Sequence, residues 1–187
     1  MLKTIHSVKT GFDPVQCFDD LVLSGCYMFH EPNIAQSIDL ARGDWRPQKE
    51  STKFEWAPGN SYLASVFDQY EEKHLSKVWG KLERVNYWYC NGVEDSSAPW
   101  HTDLLENIDI SMLCYLSDMS PDVAGYIAVR NTTTGEGVML YPKLGDVVIL
   151  HHAEGFEHRA EPALVDRFYI NITYRTEFWE NHAFPSV

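Results

Sequence analysis

No stretch of this chain approaches the roughly 20 consecutive apolar residues that a membrane-crossing helix needs. The opening MLKTIHSVKTGFDPV mixes Lys, His and Asp among isolated apolar residues and lacks the continuous hydrophobic region of a secretory signal. Cysteine is scarce: Cys17, Cys26, Cys90 and Cys114 stand far apart, with no CxxC pair to suggest a zinc knuckle or a redox couple. A cytoplasmic protein with reduced, structural thiols is therefore expected, and none of the four is assigned a catalytic role. Positive charge is short as well. Fifteen basic against 27 acidic residues leave a formal charge of −12, a field that repels polyanions and disfavours a nucleic-acid partner. Internal repeats and low-complexity segments are also missing, so neither a solenoid nor a long linker is expected.

What remains is enough for one domain with a sizeable core: 187 residues, 44% hydrophobic and 22% charged, are ordinary globular proportions that leave no room for long disorder. Pro14, Gly25, Pro32, Gly43, Pro47 and Pro58 break residues 1–58 into short pieces such as VQCFDDLVLSGCYMF. The spacing then predicts one amphipathic helix. Leu63, Val66, Phe67, Tyr70, Leu75, Val78 and Trp79 fall largely on one face, with Asn60 or Ser61 as N-cap and Gly80 as the stop. Its aromatic stripe is read as core contact.

After Gly80 the helical period disappears. RVNYWYC, DISMLCYL, GYIAVRN, GVMLY, DVVILHH and RFYINITYRT follow one another with glycines and prolines between them, the pattern of an all-β sandwich or barrel. The expected organisation is a single domain over 1–187, with residues 1–80 as N-terminal helical or irregular support and 81–178 as a β core.

The most informative string is Trp100-His101-Thr102-Asp103. In an extended segment residues i and i+2 share a face, so His101 and Asp103 would point the same way. With a second, distant His they would make the 2-His-1-carboxylate set that holds Fe(II) and leaves coordination positions open. HxD alone is weak, because a solvated surface pair would look the same. Of the eight histidines, the candidates for the third ligand are His151, His152 and His158, all downstream of the strand Asp146–Leu150. His158 fits best, as it opens a new segment and Arg167 follows nine positions on; His151 and His152 can serve instead as strand-end residues or supporting donors.

From Tyr89 to Tyr174 an ordered series appears: YCNG, W-H-T-D, SMLCYLSD, AGYIAVRN, GDVVIL, HRAEPALVDR and FYINITY. This series resembles the double-stranded β-helix core of the Fe(II)/2-oxoglutarate-dependent oxygenases, most closely their prolyl-hydroxylase-like branch. The resemblance implies a mainly β, jelly-roll (cupin-like) fold with N-terminal helices packed against it. It implies His101, Asp103 and His158 as iron ligands, and 2-oxoglutarate and O2 as cosubstrates, with ascorbate as accessory reductant. Arg167 would pair the far carboxylate of 2-oxoglutarate and Tyr115 would give it a hydroxyl, while Tyr89 and Asn171 would line the same cavity. Hydroxylation of an unactivated C–H bond, with release of succinate and CO2, would follow. The retained carboxylate at Asp103 favours hydroxylation over halogenation. The implied substrate is an amino-acid side chain, proline above all, in a peptide or small molecule, and Trp100 is a candidate to stack on it.

Two other classes stay open on the residues alone. A cupin-like hydrolase, isomerase or lyase could use the same ligands for zinc or manganese, but has no need of Arg167. A non-catalytic β-sandwich binding module would carry His and Asp by coincidence.

Overall fold

A computed structural model describes residues 1–5, 8–33, 54–58, 67–92, 97–103 and 108–176, with side chains left aside at 54–58, 88–89 and 91–92. The first helix, α1 (Pro14–Ser24), forms where the sequence supplies both of its ends. Asp13 accepts hydrogen bonds from the backbone N–H groups of Val15 and Gln16 at 3.0 and 3.1 Å, and Pro14 occupies the first helical position. Gly25 stops the helix at φ 73°, and a side chain there would also lie 2.6 Å from the Phe156 ring.

Strands make up most of the rest. β1 (Leu2–Ile5), β2 (Cys26–His30) and β3 (Phe54–Pro58) come from the N-terminal third. A π-helical turn, Glu71–Leu75, runs into α2 (Ser76–Trp79). Then follow β4 (Leu82–Gly92), β5 (Ala98–His101), β6 (Ile110–Tyr115), β7 (Ile127–Asn131) and β8 (Gly137–Leu140). β9 (Asp146–His151), β10 (Phe156–Ala160) and β11 (Arg167–Thr176) complete the series. They form two sheets, ordered β1-β8-β7-β10-β5 and β2-β9-β6-β11-β4-β3, antiparallel except where β1 lies parallel to β8. This is the double-sheet, jelly-roll architecture expected from the sequence. The N-terminal segment contributes more than helical support, since β1, β2 and β3 each occupy a sheet edge. The expected N-cap at Asn60 or Ser61 lies outside the described residues, and the helix ends at Trp79 before Gly80.

Period-two alternation assigns each face of the larger sheet. Met112, Cys114, Val147, Ile149, Ile170, Ile172 and Tyr174 pack with Cys17, Leu21, Phe67, Tyr70, Leu75 and Trp79, so the helices cover the outer face. Leu113, Tyr115, Val148 and Leu150 point the other way and meet Ile127, Val129, Val138 and Leu140 of the smaller sheet. β6 and β9 are buried along their whole length, and β9 carries the continuous apolar run Val147-Val148-Ile149-Leu150. On β11 the same alternation leaves Arg167, Tyr169, Asn171 and Thr173 on the inner face, lining the space between the sheets. The π-helical turn is tied to the sheet through Glu71, which accepts from Arg84 Nε and Nη2 at 3.1 and 2.7 Å and from the Tyr174 hydroxyl. No helix among the described residues is long and apolar enough to cross a membrane. All four cysteines are buried free thiols, and burial raises their pKa values, that of Cys26 to about 12.

Candidate active site

β5 and β10 are neighbours in the smaller sheet, and their register sets His101 directly opposite His158. The two imidazoles therefore meet with centroids 4.2 Å apart. β5 ends at His101, and two residues on the chain bends so that Asp103 Oδ1 lies 3.6 Å from His101 Nε2. One ligand atom from each of His101, Asp103 and His158 lies within 4.8 Å of the others, the only such cluster of three or more among the described residues.

The donor set suits a divalent metal. His101 Nδ1 lies 2.7 Å from the Pro99 carbonyl, and an N–H donated there leaves Nε2 with a lone pair. Burial, reinforced by neighbouring His101, pushes the His158 pKa down to about 3, so its imidazole is neutral and able to ligate at ordinary pH. Two nitrogens and one carboxylate oxygen match what iron(II) takes from a protein while leaving positions open.

These three residues border a cavity of about 570 Å³ between the sheets, whose wall also includes Ser111, Leu113, Tyr115, Ile127, Arg167, Tyr169, Asn171 and Thr173. Arg167 is 1% exposed, a guanidinium withdrawn from the surface. Its Nη1 donates to the backbone carbonyls of Gly125 at 3.3 Å and Glu161 at 3.1 Å, while the Glu161 carboxylate is taken by Arg159. A carboxylate entering the cavity would thus meet a desolvated guanidinium already held in place. Tyr115 is buried beside it, and its ring stacks on Tyr169 at 5.6 Å and 20°. Burial raises the pKa of both phenols, with Arg167 opposing, so both remain protonated hydrogen-bond donors.

Asn171 lines the cavity, and its Oδ1 and the Thr173 Oγ1 are buried without a hydrogen-bond partner among the described residues. Tyr89 pairs with Ile170 in the β4–β11 register, but its side chain lies outside the described residues. Trp100 is not part of the cavity wall. It alternates with His101 on β5, and the guanidinium carbons of Arg130 and Arg159 lie 4.2 and 4.7 Å from its ring. The sequence reading did not single out Tyr169, Thr173, Ser111 or Asn86 as lining residues. Counting in twos from Arg167 would have found Tyr169 and Thr173, and from Tyr115 would have found Ser111, whereas Asn86 depends on cross-strand register that the sequence does not show.

No protein-family description and no curated protein matches the sequence. Solved structures do match the fold. A 2OG-Fe(II) oxygenase family oxidoreductase from Burkholderia pseudomallei superimposes with a TM-score of 0.73 at 11% identity, over 94% of this chain and 96% of that one. The fold is that of the 2-oxoglutarate/Fe(II) oxygenases. Prolyl hydroxylases share it: the Trichoplax adhaerens enzyme, in complex with a hypoxia inducible factor peptide fragment, gives 0.71 at 14% identity over 88% and 89% of the two chains. HygX from Streptomyces hygroscopicus, with nickel and 2-oxoglutarate bound, gives 0.68 at 14% over 90% and 89%; it has also been solved with hygromycin B.

Proposed function

We propose that this protein is an Fe(II)- and 2-oxoglutarate-dependent dioxygenase that hydroxylates an unactivated C–H bond, releasing succinate and CO2. The observation that carries the reading is the pairing, in one cavity, of the His101, Asp103 and His158 cluster with the buried cation of Arg167. A zinc- or manganese-dependent cupin-like enzyme would need the first and have no use for the second.

His101, Asp103 and His158 are the residues to hold Fe(II), which when bound supplies the one-electron and O2 chemistry that no side chain provides. Arg167 takes the far carboxylate of 2-oxoglutarate in its planar fork, and the Tyr115 hydroxyl donates to the same group. Anchored at that end, the keto-acid end of the molecule is directed toward the cluster. Leu113, Ile127 and Leu150 make the intervening wall apolar and keep water out. Asn171 lies two residues beyond Tyr169 on the same face and is available to the ligand's polar atoms.

The substrate class in this reading is an amino-acid side chain, in a peptide or small molecule, acted on in the cytoplasm. The peptide held by the Trichoplax prolyl hydroxylase and the net charge of −12, which disfavours polyanions, support it. Trp100 lies outside the cavity wall, with Arg130 and Arg159 over its ring, and is assigned no role in the proposed function. The test is a screen of the Fe(II)-loaded protein, with ascorbate as added reductant, against amino acids, peptides and nucleosides, following succinate. A true substrate accelerates succinate release and gains one oxygen atom, labelled when oxygen-18 gas is supplied. A protein that binds metal but neither binds nor consumes 2-oxoglutarate would be a cupin-like enzyme instead.

A further inference from the structure

His152 is an unusual residue to find where it is. It follows β9, is 2% exposed, and its backbone N–H donates to the Asp109 carbonyl at 2.9 Å. Burying an imidazole at the end of an apolar strand is unfavourable unless its polar atoms are used. Nε2 is used: it lies 2.7 Å from the Ser111 hydroxyl oxygen on β6 and 3.5 Å from Asp103 Oδ2. Nδ1 is buried with no hydrogen-bond partner among the described residues.

The geometry divides the Asp103 carboxylate in two. Oδ1 faces His101 at 3.6 Å, on the side of the ligand cluster, while Oδ2 faces His152. The neutral tautomer with its proton on Nε2 is the one that fits. A bare Nε2 lone pair would confront an anionic oxygen, and the alternative would bury an unpaired Nδ1–H donor. Asp103 needs such support more than the histidines do. His101 and His158 are fixed by a strand ladder, whereas Asp103 lies on the bend after β5. Ser111 lies on β6 of the other sheet and His152 directly after β9, so the His152 contact with Asp103 joins the two sheets.

We infer that the Ser111–His152 pair is a positioning device for Asp103, holding its outer oxygen so that Oδ1 is presented to the metal. The role rests on the proposed metal centre but adds two residues to it that ligate nothing. The Nε2–H donates to the Ser111 oxygen at 2.7 Å, which fixes the ring, and the same positive ring edge faces Asp103 Oδ2 at 3.5 Å, so the metal meets a carboxylate already oriented by that contact.

Cobalt(II) titration tests this, read by competition with a chromophoric chelator and by the visible spectrum of the bound ion, with wild type, H152L, H152Q, S111A and H158A compared. H152L is expected to bind about 10- to 100-fold more weakly and to show a changed spectrum. H152Q, which restores a donor near the Nε2 position, should recover most of the affinity. S111A, a small change that keeps the ring, should shift the spectrum in the same direction and decides the matter if H152L melts without metal. Wild-type affinity and spectrum in S111A, or equal affinity in H152L and H152Q, would overturn this role while leaving the metal centre standing. Failure of the wild type to bind cobalt, or equal binding by H158A, would overturn the metal centre and this role with it.

Discussion

Arg167 is a cation taken almost wholly out of water, and its two carbonyl contacts aim it at the space between the sheets. Removing one partner of such a desolvated pair costs about 2–5 kcal/mol, so Arg167→Ala should weaken 2-oxoglutarate binding at least tenfold, at about 1.4 kcal/mol per decade. Metal binding should survive, and a calorimetric titration of each ligand separates the two. Tyr115→Phe removes one hydroxyl and keeps the ring, so the loss should be near 1 kcal/mol, about fivefold in Kd. His158→Ala is the opposite case: metal content after loading should fall sharply while the melting temperature of the metal-free protein changes little, because the half-buried imidazole borders the cavity. At this scale the sequence is most legible where chemistry demands particular side chains. His101 and Asp103 are two positions apart in an extended string, and His158 precedes Arg167 by nine. The Ser111–His152 contact was not legible, because β6 and the end of β9 meet only through the fold of the larger sheet.

Gly125 shows how an element smaller than a strand shapes the site. Its φ is 72°, the residue before it, Ala124, also has a positive φ of 57°, and its carbonyl accepts from Arg167. A Cβ there would lie 2.6 Å from Met119 Sδ and 2.8 Å from Ala163 Cβ. Gly125→Ala should therefore lower the melting temperature and weaken 2-oxoglutarate binding together, through the displaced carbonyl. Asp13→Ala removes the α1 cap, about 1 kcal/mol of stability, and should leave ligand affinities unchanged. The strands read from the sequence, β4, β6, β7, β8, β9 and β11, are the ones rich in apolar and aromatic residues and set off by glycine and proline. The two that carry the histidines of the cluster, β5 with APWH and β10 with FEHRA, are short and polar and give little periodic signal. Their strand character comes from pairing with each other and with β7. β1 was hidden for the same reason, being a four-residue edge strand whose partner, β8, lies more than a hundred residues away.

Across the whole molecule, buried neutral histidines tie stability to pH. Burial lowers the pKa of His151 to about 4, and those of His152 and His158 are lowered as well. Unfolded, each would titrate near 6.5. The unfolded chain therefore binds more protons as pH falls below about 6.5, and each histidine removes about 1.4 kcal/mol per pH unit until its folded pKa is reached. Melting of the metal-free protein should accordingly be highest above pH 6.5 and fall steadily toward pH 4; a flat profile would mean the imidazoles are hydrated. In the proposed function the cavity between the sheets is where metal and cosubstrate meet. The most direct test is an oxygen-free calorimetric titration of 2-oxoglutarate into the wild-type protein with and without Fe(II), and into Fe(II)-loaded Arg167→Ala. One molecule per chain should bind tightly only when both the metal and Arg167 are present. Equal affinity in all three titrations, or none in any, would contradict a shared metal and cosubstrate site.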